Sequence, residues 1–203
     1  MTRPSRILKL LLVALLAWAP VASLEANARP ATVVEDFHNQ LLATMKRAET
    51  ETAQQRFEAL SQAVDKAFDL ERMIRVASGS QWGSADSVQR ATLLSAFRRL
   101  SIATYASQFD GYSGERFEMV GNRPGPQGTV LVQTRIVSED TNAGLTYVMK
   151  ETDSRWLIAD ILLDDSVSQL AVRRSEYRRI LADSGIDGLV NTLNRKADDL
   201  LAK

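Results

Sequence analysis

The sequence predicts an α+β fold, in which helices precede and follow an antiparallel sheet of about four strands. Three observations carry this. Apolar residues recur at helical spacing in both the first half of the chain and its last third. The segments between them alternate with period two. The connections between successive strands are short, which favours an antiparallel meander. The chain has 203 residues, which suits one domain.

Residues 1–28 read as a secretory signal peptide. Arg3, Arg6 and Lys9 make a basic start, Leu10–Ala19 is a ten-residue apolar core, and Pro20 closes it. Ala26-Asn27-Ala28 offers the small residues that a signal peptidase reads. The apolar run is shorter than the ~20 residues of a spanning helix. Cleavage is expected after Ala28, leaving residues 29–203 as one exported domain, periplasmic in a Gram-negative cell. The alternative is an uncleaved anchor.

Thr32-Val33-Val34-Glu35 has the T-x-x-E pattern of a capping box, and Val34, Phe37, Leu41 and Met45 follow on one helical face. A second helix carries Phe57, Leu60, Val64 and Phe68 inward. Asp69 is placed to cap a short third helix holding Leu70, Met73 and Ile74. Ser78-Gly79-Ser80 breaks the pattern, and Trp82 lies in the connection. A long helix is expected from Asp86 to Phe109. Leu94, Ile102, Tyr105 and Phe109 form its stripe, Phe97 and Leu100 widen it, and Arg90, Arg98 and Gln108 face outward.

Arg116–Val120 is a short strand, and Asn122–Gly128, with its prolines and glycines, reads as a loop. Thr129–Val137 places Val130, Val132, Thr134 and Ile136 on one side. After the polar loop Ser138–Gly144, Leu145–Glu151 places Leu145, Tyr147 and Met149 together. Trp156–Leu163 is almost continuously apolar and suits a central strand covered on both faces. Its exception is Asp160, which period two puts on the face of Trp156 and Ile158. A buried carboxylate there needs a cation or several donors. Arg173 and Arg174 are candidate cations; the alternative is that Asp160 sits at the strand's wet end.

Two helices close the chain. Val167–Ala182 carries Leu170, Tyr177 and Leu181, with Arg173, Arg174, Arg178 and Arg179 mostly outward. Ser184-Gly185 stops it, and Asp187–Leu201 follows with Leu189, Val190, Leu193, Ala197 and Leu200.

Chemical equipment is sparse. Lys+Arg and Asp+Glu both number 25, so the net charge is zero and the basic footprint of a nucleic-acid binder is missing. There is no cysteine, which excludes disulfides, thiolate metal sites and a lipid-modified cysteine. His38 is the one histidine, so a zinc site would need at least three carboxylates. No metal or cofactor is expected, and neither a nucleophile elbow nor a phosphate loop is present. Asp160, Asp164 and Asp165 form the densest carboxylate cluster. One reading makes it a general base at a pocket mouth; the other makes it a strand-end acid beside two solvated turn residues. The arginines that follow read as a solvated helix face, or as a contact for acidic groups or lipid phosphates.

Several motifs occur in an order that resembles a known family. They are Trp82, Gln89-Arg90, Phe97, Thr104-Tyr105-Ala106 and Tyr112-x-Gly114-Glu115, then Trp156-x-x-x-Asp160, Val167-Ser168, Arg174-Ser175-Glu176-Tyr177 and Gly185-Ile186-Asp187-Gly188-Leu189. Together they resemble the periplasmic phospholipid-binding MlaC family, also called the toluene-tolerance family, over Val33 to Leu200. Asp164-Asp165-Ser166-Val167-Ser168 departs from the usual Glu-Gly-Val-Ser of that family, and Gly79-Ser80-Gln81 lacks the aromatic or arginine usual before the Trp. The run from Leu170 to Tyr177 looks closer to an HpnM-like branch associated with hopanoid biosynthesis gene clusters.

The resemblance implies an NTF2-like curved sheet wrapped by helices around an apolar cavity, with lipid chains inside and the head group towards solvent. It implies a ferry for phospholipid, or for a hopanoid-type lipid, that maintains outer-membrane lipid asymmetry. Its implied partners are an outer-membrane lipoprotein–porin complex and an inner-membrane ABC transporter with an MCE-domain subunit. It implies no catalysis. The expected sheet wall of the cavity is Val130, Val132, Ile136, Leu145, Tyr147 and Met149, extended by Trp156 and Ile158. The expected helix wall is Phe97, Ile102, Tyr105 and Phe109. Two other readings compete: an NTF2-like enzyme acting on an apolar small molecule with Asp160 as general base, and a scaffold with a filled core. Periodicity does not separate a dry core from a pocket.

Overall fold

A computed structural model of the protein describes residues 29–139 and 142–202. The signal-peptide reading of residues 1–28 lies outside the described residues.

Local capping chemistry sets most of the helix starts. The first helix, α1 (Pro30–Met45), begins on a proline at its first turn, with Arg29 as N-cap and no side-chain cap bond. The expected Thr32 capping box therefore does not form. Proline's fixed φ suits the first helical position, so the helix starts upstream and Thr32 falls inside it. In α2 (Ala53–Ala67) a full capping box joins Thr52 and Gln55. Asp69 caps α3 (Leu70–Ser78) by accepting from the Arg72 amide at 3.0 Å. Gly79, at φ +61°, makes the turn into α4 (Ser80–Ser84), which takes in Trp82. A second full box, Asp86 with Gln89, opens α5 (Ser87–Gln108). Arg90 then reaches back from α5 to the Trp82 carbonyl at 3.0 Å. The Trp82 and Gln89-Arg90 motif thus works as helix-start architecture.

The strands are β1 (Arg116–Pro124), β2 (Val130–Val137), β3 (Asn142–Thr152), β4 (Arg155–Leu163) and β5 (Val167–Ser168). They form one open, curved sheet in the order β1-β2-β3-β4-β5, with every pairing antiparallel. The fifth strand is the Val167-Ser168 pair, which the sequence pattern assigns to the following helix. A bulge between Met119 and Gly121 lets β1 continue to Pro124, opposite Val130, through residues that read as a loop. An edge strand tolerates that proline because its missing donor takes nothing from a ladder. The β3–β4 hairpin turns on Asp153 and Ser154, both at positive φ, in the manner of a two-residue primed turn.

A second bulge decides the position of Asp160. Met149 lies opposite Ile158, but Val148 lies opposite Asp160. Neighbours on β3 point to opposite faces, so Asp160 and Ile158 do too. The expectation that they share a face is corrected by the extra residue, Ala159. The half-buried Asp160 carboxylate accepts from the Ile161 amide at 2.7 Å, the Leu170 amide at 3.0 Å and the Ser168 hydroxyl. Donors from the β5–helix junction take the place of the expected Arg173 or Arg174. Ser168 in turn caps α6 (Gln169–Leu201) through the Ala171 amide. Gly185, at φ +64°, breaks α6 into the two helical stretches read from the sequence.

The helices cover one face of the sheet. Phe37, Leu41, Leu60, Ile74, Leu93, Phe97, Ile102, Leu189 and Leu193 are fully buried in the same core as Val132, Met149 and Ile158. Burying each such side chain contributes about 1.5–3 kcal/mol. Arg56 is also buried, and its guanidinium donates to the carbonyls of Ala106 at 2.8 Å and Glu51 at 2.6 Å. That joins α2 to the last turn of α5, where carbonyls lack helical partners. No helix among the described residues is long and apolar enough to cross a membrane.

Candidate functional site

Between the helices and the β3–β4 half of the sheet lies a mainly apolar cavity of about 220 Å³. Its floor comes from Leu41 of α1, Val64 and Phe68 around the end of α2, and Leu70 and Met73 of α3. Leu145 and Tyr147 of β3 with Ile161 and Leu163 of β4 make the sheet wall; Tyr105 and Phe109 make the helix wall. Its polar lining is Ser101, Thr104, Gln108, Gln169 and Arg173. Arg173 alone among these lining residues is charged.

Of the twelve wall residues expected from sequence, Tyr105, Phe109, Leu145 and Tyr147 line this cavity. Phe97, Ile102, Val132, Met149 and Ile158 lie outside its lining, buried in the packed core. Val130, Ile136 and Trp156 are half-buried and also outside it. The physical reason is the β4 bulge together with the tie from the Asp69 amide to the Ile158 carbonyl, which holds the helix layer against the sheet there. The open space lies beyond Ile158, where Ile161 and Leu163 have taken over the inward face. Those two were missed because unbroken period two assigns them to the other side. Leu41, Val64, Phe68, Leu70 and Met73 were legible as inward residues, but nothing in their spacing marks a wall rather than a core.

An aromatic cluster stiffens one end. Tyr105 meets Phe37 edge-on at 5.2 Å between ring centroids, and Phe68 meets Phe37 edge-on at 5.0 Å. The Tyr147 hydroxyl lies 2.8 Å from His38 Nε2, and the His38 ring stacks on Phe117 at 4.0 Å. Burial pushes the His38 imidazole down to about 4, so it is neutral near pH 7. Burial raises the Tyr147 phenol, with Tyr105 adding to the shift. It raises the Tyr105 phenol as well, opposed in part by the charge of Arg173. Both phenols stay protonated in an apolar wall, and that of Tyr147 is hydrogen-bonded to His38.

Asp160 is not in the lining, and three donors occupy its oxygens. Asp164 and Asp165 are exposed turn residues at positive φ, and Asp165 accepts from the Thr146 hydroxyl. The carboxylate cluster therefore presents no base to the cavity. Among the described residues no group of His, Cys, Asp and Glu is arranged to hold a metal.

An outer groove of about 410 Å³ adjoins the cavity between α5 and α6. Cavity and groove share Thr104, Gln108, Gln169 and Arg173. These four polar residues stand where the apolar interior meets the surface.

A family model described as MlaC protein matches residues 35–195. Comparison with curated proteins finds no match. Among solved structures, one of a phospholipid-binding protein from Ralstonia solanacearum in complex with a phospholipid is similar to this chain. The likeness covers 87% of this chain and 100% of that one, with a TM-score of 0.75 and 21% sequence identity. At that identity the likeness is one of fold.

Proposed function

We propose that this chain, which belongs to the MlaC family, is a lipid carrier that holds the acyl chains of a phospholipid in the cavity between α5 and the β3–β4 wall. The observation that carries the reading is the cavity itself. It is apolar over most of its wall, and four of its polar residues, Thr104, Gln108, Gln169 and Arg173, gather where it adjoins the outer groove. A space built in this way takes a molecule with a hydrocarbon body and a polar end. Phospholipid bound to a protein of the same fold supports the same cargo here.

The energetics require a carrier of this kind. Exposing one methylene to water costs ~0.8 kcal/mol, so two chains with about thirty methylenes cost on the order of 25 kcal/mol. A cavity and a bilayer both offer hydrocarbon surroundings, so transfer between them is close to balanced. Direction is then set by partners and by ATP hydrolysis elsewhere. The cavity is smaller than the ~300–1,000 Å³ of common ligand pockets, so its walls part to admit a two-chain lipid.

We place the carrier in the periplasm, exported by residues 1–28, between an outer-membrane lipoprotein–porin complex and an inner-membrane ABC transporter with an MCE-domain subunit. In that setting it maintains outer-membrane lipid asymmetry. Organic extraction of purified protein followed by mass spectrometry tests the reading. Phospholipid is expected in the extract; an extract containing hopanoid-type lipid alone would move the cargo to that class. Protein that yields no lipid, and takes none from vesicles, would overturn the carrier reading.

A further inference from the structure

Arg173 is placed unlike the other arginines of its helix. It lines both the cavity and the outer groove, whereas Arg174, Arg178 and Arg179 line neither. Its guanidinium sits 5.6 Å from the centroid of the fully buried Phe97 ring. That contact holds the planar fork against a rigid surface. Its one hydrogen bond to a side chain is a long one, from Nη1 to the Tyr177 hydroxyl at 3.5 Å. Among the described residues no salt bridge involves it. Glu176, one turn along in the groove, faces Lys196 at 3.9 Å instead. A guanidinium has five N–H donors, so most of this one's capacity is open. Beside it stand the side-chain amides of Gln108 and Gln169, which carry N–H donors, whereas the Thr104 hydroxyl already donates its proton to Leu100 O at 2.7 Å.

We propose that Arg173 binds the phosphate of the cargo lipid at the cavity mouth and so selects phosphodiester lipids over uncharged lipids with the same chains. This rests on the carrier reading and adds to it a head-group site. A guanidinium donates in parallel to two phosphate oxygens, and partial burial keeps the contact from being fully screened. With chains in the apolar cavity, a phosphate at the boundary falls within the zone that Arg173 shares with the groove. A neutral lipid would leave the half-buried charge unanswered, which is the source of discrimination.

The test is competition. Purified protein is incubated with vesicles containing equal amounts of phosphatidylglycerol and diacylglycerol of the same chains, then re-isolated, extracted and quantified by mass spectrometry. Wild type is expected to be enriched in phosphatidylglycerol. Arg173→Gln, with an unchanged melting curve, is expected to lose about tenfold of that preference, as for one charge-assisted hydrogen bond, while still taking up diacylglycerol. Arg173→Lys keeps the charge without the fork and is expected to fall between. Equal uptake by wild type, or an unchanged ratio in both variants, would overturn the head-group site and leave the carrier reading standing. Uptake of neither lipid would overturn both. Inorganic phosphate alone should not shift the melting temperature. An Arg173-dependent shift without any lipid preference would assign the site to a free anion and overturn the lipid assignment.

Discussion

Two parts of one sheet wall follow the same alternation and end in different surroundings. Val132, Met149 and Ile158 are fully buried in packed core. Leu145, Tyr147, Ile161 and Leu163 face the cavity, and Leu163 is 40% exposed. Residue type does not separate the two sets; the layer above them does. At Ile158 the junction of α2 and α3 is tied to the sheet. The Asp69 amide donates to the Ile158 carbonyl at 3.0 Å, and the Thr152 hydroxyl donates to Asp69 at 3.1 Å. Past that tie the layers leave a gap, and the β4 bulge turns Ile161 and Leu163 towards it. The stretch tied to the α2–α3 junction packs solid; further along the same wall, where the ties are Tyr147 to His38 and Asp160 to Leu170, space stays open.

Substitution can break that comparison. The largest effect is expected from Ile158→Ala, which removes a fully buried side chain beside the tie. A loss of about 2–5 kcal/mol is expected in denaturant unfolding. A loss under 1 kcal/mol would mean that the pinned stretch is not tightly packed.

His38 comes next, through pH. Its imidazole titrates near 4 in the folded protein against 6.5 for the unperturbed group. The unfolded chain therefore takes up a proton first as pH falls. The contribution is full above pH 6.5 and is lost progressively down to about pH 4. The loss is on the order of 3 kcal/mol. His38→Gln should remove this slope from the stability–pH profile; an unchanged slope would assign it to other groups.

Overpacking gives a smaller signal. Val132→Trp should cost about 1–3 kcal/mol, because Val132 lies in the packed layer. Ile161→Trp, two strand pairings away across Tyr147 on the open stretch, should cost less than that and exclude lipid. The two melting temperatures, with lipid content measured by extraction, sharpen the distinction. If Val132→Trp loses lipid at wild-type stability, the cavity reaches further along the sheet than its lining shows.

Much of the fold was legible before any tertiary contact. Asp69, Asp86 and Gly185 mark helix boundaries because a cap or a positive-φ break acts within a few residues. The order of helices and strands follows from periodicity, which each segment carries by itself. Family motifs were legible too, although Gln89 and Arg90 serve the start of α5, and Ser168 the start of α6, not the cavity wall.

What the chain could not show locally was decided by distant contacts. The bulge that puts Asp160 opposite Val148 exists only in the pairing of two strands, so counting along β4 alone assigns the wrong face. Proline at position 30 outweighed the Thr32 pattern because two local signals competed and only the folded helix shows which prevails. The cavity is the clearest case. Tyr105 and Tyr147 line it while Phe97 and Met149, on the same elements, do not. Away from such a bulge, sequence by itself determines which way a side chain points along its own helix or strand. Only the tertiary structure decides whether another layer fills the space it points into, because that distance is set by hydrogen bonds such as Asp69 to Ile158, between residues far apart in the chain.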